Sequence, residues 1–150
     1  MSVAADVEYR TTITVNARAT VVPNPESLVG HDLFGNGQCY ALGVAFGMLT
    51  SHFNIHPGDA PDATTPIGTI IGIFADKGGT YNNVSGQAHI AIFDGFYQTT
   101  NSRGVTTTGI HMIDQWSTRP GGVAGHSDRA YGAAGNYENN AANYRIVLGP

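Results

Sequence analysis

Residues 35–46 read Gly-Asn-Gly-Gln-Cys-Tyr-Ala-Leu-Gly-Val-Ala-Phe and contain Cys39, the one cysteine of the 150-residue chain. The first two glycines permit a tight turn, Asn36 is a favourable N-cap, and the residues after Cys39 are mostly apolar. This pattern predicts a buried helix from Cys39 to about His52. Free amides at a helix N-terminus favour a thiolate and can receive an oxyanion, so the position suits a nucleophile. A buried, unreactive cysteine is the alternative interpretation, because free cysteine usually packs as a small hydrophobic residue.

Several apolar or alternating segments outside this stretch predict β-strands. Two polar segments between them predict connections, namely a hairpin connection over 94–108 and long surface loops over 117–142. The predicted strands cover residues 7–15 with a continuation to 22, 67–74, 87–93, 109–116 and 144–148.

Composition limits the class of protein. The net charge is −4 and only 12% of residues are charged, which argues against a nucleic-acid partner. The sequence has neither a basic, apolar leader nor an apolar run of ~20 residues. We therefore expect a protein made in the cytoplasm without a signal peptide and without a membrane span.

Prolines at 23 and 25 interrupt the first strand pattern and predict a boundary between an N-terminal strand extension, 1–26, and the main domain, 27–150.

Three residues have the chemistry that cysteine hydrolysis requires, which is a thiolate, an imidazole that carries its proton, and a polar group that orients the imidazole. Cys39, His89 and Asp114 occur in that order on the predicted helix and two successive predicted strands. Taken singly, His89 also fits a hydrogen-bonded core histidine and Asp114 a strand-end cap. No metal or other cofactor is expected.

Four segments in this order resemble the papain-like NlpC/P60 and CHAP superfamily of cell-wall amidases. They are Gly37-Gln38-Cys39, Gly68–Phe74, Gln87–Phe93 and Ile113–Trp116. The nearer resemblance is to a small bacterial group within it that is related to type VI-secreted peptidoglycan amidase effectors, and it covers about residues 28–148. It implies an α+β, papain-like fold in which an N-terminal helix carrying the cysteine packs on a mainly antiparallel sheet. The family often has glycine before its histidine, where this chain has Ala88.

The resemblance also implies roles for individual residues. Cys39 would be the nucleophile, His89 the general base and acid, and Asp114 the orienting residue. His111 is the alternative third catalytic residue, since NlpC/P60 proteins commonly use a second histidine there. Substrate-binding or oxyanion-binding residues are expected at Gln38, Tyr40, Gln115 and Trp116.

The implied function is hydrolysis of an amide bond in peptidoglycan peptide stems or cross-links. The protein would be a secreted antibacterial effector acting in the periplasm or cell wall of a target bacterium, with an immunity protein and a secretion apparatus as partners. One alternative is a deamidase or protease toxin that uses the same triad on a protein substrate. Another is a catalytically inactive relative that binds cell wall or glycan. The sequence does not decide between them, nor does it give the scissile bond or the oligomeric state.

Overall fold

The computed structural model describes residues 5–8, 18–35, 37–39, 41–42, 55–74, 88–116, 118–119 and 121–149. Short 3-10 helices lie at Pro25–Leu28, Tyr137–Asn139 and Ala141–Asn143. The strands of these residues are β1 (Ala5–Glu8), β2 (Arg18–Val21), β3 (His56–Pro57), β4 (Ile70–Phe74), β5 (Ala88–Thr100), β6 (Thr106–Asp114), β7 (Gly125–Ala130) and β8 (Tyr144–Gly149).

The strands in the described part of the chain form one eight-stranded sheet with the order β1-β2-β8-β4-β5-β6-β7, and β3 pairs with β8 beside this path. Every pairing between these strands is antiparallel. The prediction of a mainly antiparallel sheet is therefore confirmed. Strands β4 to β7 are neighbours both in sequence and in space, so the start of β5 lies beside the end of β6.

The sheet buries side chains on both faces. β4 is buried along its whole length, as its apolar, β-branched sequence predicts. Because side chains alternate along a strand, successive residues of β4 and β5 belong to two different clusters. The first cluster includes Leu42, Ile70, Ile90, Ile92 and Ile113. The second cluster includes Ile71, Ile73, Ala91, Phe93, Ile110, Met112 and Tyr144.

The predicted cysteine-bearing helix lies mostly outside the described residues. Cys39, Ala41 and Leu42 have helical backbone, and Leu42 packs in the first cluster. The continuation over 43–52 is not described, so an N-terminal helix packed on the sheet stays a prediction. Among the residues that the structure does describe, no helix is long and apolar enough to cross a membrane.

Two polar segments contain strands that the sequence pattern did not predict. β5 continues past a bulge between Phe93 and Phe96 as far as Thr100, and β6 begins at Thr106. The predicted hairpin between these strands is therefore present, but its connection is shorter than 94–108, since the turn spans only 101–105. The predicted loops over 117–142 are wrong at β7, which pairs with β6 along its length.

The N-terminal segment joins the same sheet. β1 pairs with β2, and β2 pairs with β8 through Arg18 and Ala19. The prediction of one strand over 7–15 falls largely on residues 9–15, which lie outside the described ranges. The predicted division into 1–26 and 27–150 stays a prediction.

Candidate active site

His89 and Asp114 lie side by side because β5 and β6 are neighbouring strands. The Nε2 atom of His89 is 2.7 Å from the Oδ2 atom of Asp114. Both side chains are buried, with 4% of His89 and 0% of Asp114 exposed. The structure thus brings together two of the three predicted catalytic residues.

Cys39 is the third member of this contact chain. Its half-buried side chain is hydrogen-bonded to the His89 imidazole. The contacts therefore run from the Cys39 sulfur through the imidazole ring to the Asp114 carboxylate. This is the order in which a thiol, a proton carrier and an orienting group are needed for nucleophilic catalysis.

The electrostatic surroundings favour the protonated form of His89. Burial alone would lower the pKa of His89, because it penalises the charged imidazolium. The hydrogen bonds to Asp114 and Cys39, together with the charges of those two groups, outweigh burial and raise the pKa of His89 from 6.5 to about 9. An imidazolium beside a sulfur atom stabilises the thiolate, so the arrangement can support an ion pair at neutral pH.

The Asp114 carboxylate is held by several further groups. Its Oδ1 atom accepts hydrogen bonds from Arg119 Nη1 at 2.5 Å and from Ser127 Oγ at 2.6 Å. Arg129 Nη2 lies 3.7 Å from Oδ2. Burial alone would raise the pKa of Asp114, but the hydrogen bonds from His89 and Ser127 and the charge of Arg129 hold that pKa below its usual value. The buried carboxylate therefore stays ionised.

Sequence reasoning missed Arg119, Ser127 and Arg129. Ser127 and Arg129 are two residues apart on β7 and therefore point to the same face of the sheet. That spacing would have been informative only if β7 had been predicted as a strand beside β6.

Gln115 holds the backbone next to the cysteine. Its Nε2 atom donates to the carbonyl oxygens of Gln38, at 2.7 Å, and Phe34, at 3.0 Å. Its Oε1 atom accepts from the Phe34 amide at 2.7 Å. The side chain is 0% exposed. The prediction that Gln115 contacts the substrate or the oxyanion therefore disagrees with the structure. The side-chain amide of Gln115 faces the protein backbone instead.

The other predicted binding residues have different surroundings. Gln38 is exposed immediately before Cys39. Trp116 is half-buried, and the Arg119 guanidinium carbon lies 4.5 Å from the centre of its ring, which is a packing contact. Tyr40 lies outside the described residues. Among the predicted binding residues that the structure describes, Gln38 is thus the exposed one, and it directly precedes Cys39.

His111 has a partner of its own. Its Nδ1 atom lies 2.5 Å from the Asp128 carboxylate, and both side chains are partly exposed. Because His111 and Asp114 are three residues apart on β6, their side chains point to opposite faces of the sheet. The β6 residue bonded to His89 is Asp114, so the geometry gives the orienting position to Asp114 and not to His111.

Ala88, the residue before the histidine, is a core residue. It packs in the first core cluster with Ile90 and Phe74. Since neighbouring strand residues point to opposite faces, the Ala88 methyl group is directed away from the face that carries His89. The difference from the glycine of the resembled family is therefore accommodated in the core.

A second group of titratable side chains lies on the face of β7 opposite to Ser127 and Arg129. Glu26, Asp94 and His126 each place a ligand atom within 4.8 Å of the others, which could hold a metal ion. With His111 and Asp128 they line a cavity of about 270 Å³. His126 Nε2 is already hydrogen-bonded to Glu26 at 2.8 Å, and surface clusters of this kind are common without a metal.

Comparison with protein-family models gives no match, and comparison with curated proteins gives none either. Among solved structures, the chain is similar to one described as "Type 6 secretion amidase effector 2 (Tae2)", with a TM-score of 0.70 and 24% sequence identity. The similarity covers 87% of this chain and 94% of that chain. At this identity the likeness shows a shared fold.

Proposed function

We propose that this protein is a cysteine amidase that hydrolyses an amide bond in the peptide part of bacterial peptidoglycan. The contact chain from Cys39 through His89 to Asp114 is the observation that carries the proposal. The shared fold with a protein named as a type 6 secretion amidase effector supports amide hydrolysis as the reaction class. It also supports secretion to the cell wall of a target bacterium. An immunity protein and a secretion apparatus are the partners that we propose.

The reaction begins with the Cys39 thiolate and the His89 imidazolium. The sulfur attacks the amide carbonyl carbon and forms a tetrahedral intermediate. Backbone amides at the start of the predicted helix, together with the exposed Gln38 side chain, would stabilise the oxyanion as it develops. Since Nε2 of His89 is bonded to Asp114, Nδ1 is the nitrogen left to exchange a proton with the sulfur and the substrate.

Collapse of the intermediate breaks the carbon–nitrogen bond. His89 donates its Nδ1 proton to the leaving amine, and a thioester remains between Cys39 and the acyl group. The neutral imidazole then removes a proton from water, which attacks the thioester and releases the carboxylic acid. Asp114 stays ionised throughout and keeps the Nε2–H of His89 pointing at its carboxylate.

The competing functions use the same fold and differ in measurable ways. A toxin that deamidates or cleaves a protein would keep the dependence on Cys39 but would leave peptidoglycan intact. A binding relative would leave both substrates intact. The assay that separates them uses isolated peptidoglycan, with released fragments identified by liquid chromatography and mass spectrometry.

We expect wild type to release peptide fragments with new amine and carboxyl ends. Cys39→Ala and His89→Ala should lower the rate by about 10³-fold or more, because members of a catalytic unit act together. His56→Ala is the matched control, since His56 is an exposed histidine on β3, and it should keep the wild-type rate. Equal fragment release by wild type and Cys39→Ala would overturn the proposal.

A further inference from the structure

We propose that Gln115 is a positioning residue that holds the Cys39 sulfur in register with the His89 imidazole. The inference rests on the proposed cysteine chemistry and assigns Gln115 a part in it that is neither substrate contact nor oxyanion binding. Gln115 would act by fixing the backbone on which Cys39 stands.

The first observation is that the buried side-chain amide of Gln115 is hydrogen-bonded to one short backbone segment. Three hydrogen bonds join the Gln115 side chain to Phe34 and Gln38, at 2.7 to 3.0 Å. With no exposed surface, this amide uses both donor hydrogens and accepts one backbone N–H. Removing it would take three bonds from part-buried backbone groups, although the Phe34 and Gln38 carbonyls would keep their bonds from the Gly37 and Ala41 amides.

The second observation is the shape of the segment that is held. Gly35 and Gly37 have positive φ angles of 55° and 84°, so the backbone turns sharply before the cysteine. The turn is closed by a hydrogen bond of 2.9 Å from the Gly37 amide to the Phe34 carbonyl. Gln115 bonds to Phe34 at the start of this turn and to Gln38 just after it.

The third observation is the adjacency of Gln115 to Asp114. Asp114 fixes the imidazole of His89, while Gln115 fixes the carbonyl of the residue before Cys39. The last residue of β6 and the residue after it therefore hold the two halves of the nucleophilic pair.

The proposal predicts a specific kinetic change. A misplacement of about 1 Å costs on the order of 100-fold in rate. Since Gln115 has no exposed atom to meet a substrate, its loss should lower kcat and leave KM nearly unchanged. A purely structural role would lower the melting temperature and leave the folded enzyme with its full kcat.

The test compares Gln115→Met with Gln98→Met. Methionine keeps the length and apolar volume of glutamine but removes its hydrogen bonds, and Gln98 is the matched control on the exposed part of β5. Each folded variant is assayed on peptidoglycan and alkylated with iodoacetamide over a pH series, beside wild type and His89→Ala. The alkylation rate reports thiolate without any substrate.

We expect Gln115→Met to lower kcat about 100-fold with little change in KM. Its alkylation profile should shift toward that of His89→Ala, while Gln98→Met matches wild type. A Gln115→Met protein with the wild-type profile and kcat, and only a lower melting temperature, would overturn the inference. If Gln115→Met does not fold, Gln115→Glu replaces it, because glutamate keeps the acceptor and loses both donors.

The alkylation arm separates this inference from the proposed function. If wild type and His89→Ala have the same alkylation profile, the proposed cysteine chemistry is refuted. The role of Gln115 is then refuted with it. A wild-type profile that depends on His89, together with an unchanged Gln115→Met profile, would refute the role of Gln115 alone.

Discussion

At the scale of single residues, the imidazole of His89 and the carboxylate of Asp114 are two groups that water hydrates strongly, yet the protein buries both. Such a pair is stable only if the remaining polar atoms are also bonded. Here Arg119 and Ser127 donate hydrogen bonds to the second oxygen of Asp114, and Cys39 interacts with the imidazole ring. The pair is therefore completed by residues from three other parts of the chain.

This burial makes stability depend on pH. The pKa of His89 is raised from 6.5 to about 9 in the folded state, so the folded state holds this proton more tightly than the unfolded state. The contribution is complete below pH 6.5 and is lost as pH rises through about 9. We expect the contribution of His89 to the free energy of unfolding to fall over this range.

Urea denaturation at a series of pH values measures this effect. His89→Gln should remove the slope above pH 6.5, whereas His56→Gln, which changes an exposed histidine, should keep it. Parallel curves for wild type and His89→Gln would contradict the prediction.

At the scale of elements, residue pattern predicted the buried strands well. β4 and the first half of β5 are apolar and β-branched, and these features decide a strand that lies between two neighbours. β7 was missed because Gly-His-Ser-Asp-Arg-Ala contains no apolar alternation. Its strand conformation comes from pairing with β6, which is tertiary information. The distal half of the β5–β6 hairpin was missed for a similar reason, since its threonines also occur in turns.

The same division applies to the candidate site. Cys39, His89 and Asp114 could be predicted because their side-chain chemistry is distinctive and their order along the chain is informative. The supporting bonds of Arg119 and Ser127 could not, because they depend on an unpredicted strand and a loop. The backbone bonds of Gln115 could not either, because a glutamine residue gives no sign of which way its amide points.

Gly109 is a point where the β5–β6–β7 pairing permits no side chain. A Cβ atom there would lie 2.2 Å from the Arg129 carbonyl oxygen and 2.6 Å from the Tyr97 ring. Because one of these atoms is backbone, relief requires β6 and β7 to separate. We expect Gly109→Ala to lower the free energy of unfolding by about 3 kcal/mol, the upper part of the range for overpacking.

The matched control is Thr108→Ala, an exposed neighbour on the same strand, with an expected loss below about 1 kcal/mol. Urea denaturation of both variants gives the comparison. Similar losses for the two substitutions would contradict the close approach of strands at Gly109. The result also bears on the site, since Arg129 on β7 faces Asp114.

At the scale of the whole molecule, the last strand lies inside the sheet. β8 pairs with β2 and β4, so residues from both ends of the chain meet beside a central strand. The strands that carry His89 and Asp114 follow β4 outward, and β7 forms the far end of the described sheet order. Three strand pairings therefore separate β4, in the interior of the sheet, from β7, which supports the Asp114 carboxylate.

This order predicts unequal local stability. β4 is fully buried and paired on both sides, so its amides should exchange with solvent only when the whole sheet opens. β7 pairs with β6 and is mostly exposed or half-buried, so it should open without global unfolding. Hydrogen–deuterium exchange read by mass spectrometry should show the slowest exchange in β4 peptides and faster exchange in β7 and in 101–105.

Ser127→Ala adds a coupling test to that experiment. Ser127 donates to the Asp114 carboxylate from β7, so its loss should speed exchange in β7 while β4 keeps its rate. Ser102→Ala, in the exposed turn between β5 and β6, is the control and should leave both strands unchanged. If β7 exchanges as slowly as β4 in wild type, the edge does not open independently. The carboxylate support would then belong to the same cooperative unit as the core, and a substitution that loosened β7 would have to cost global stability as well.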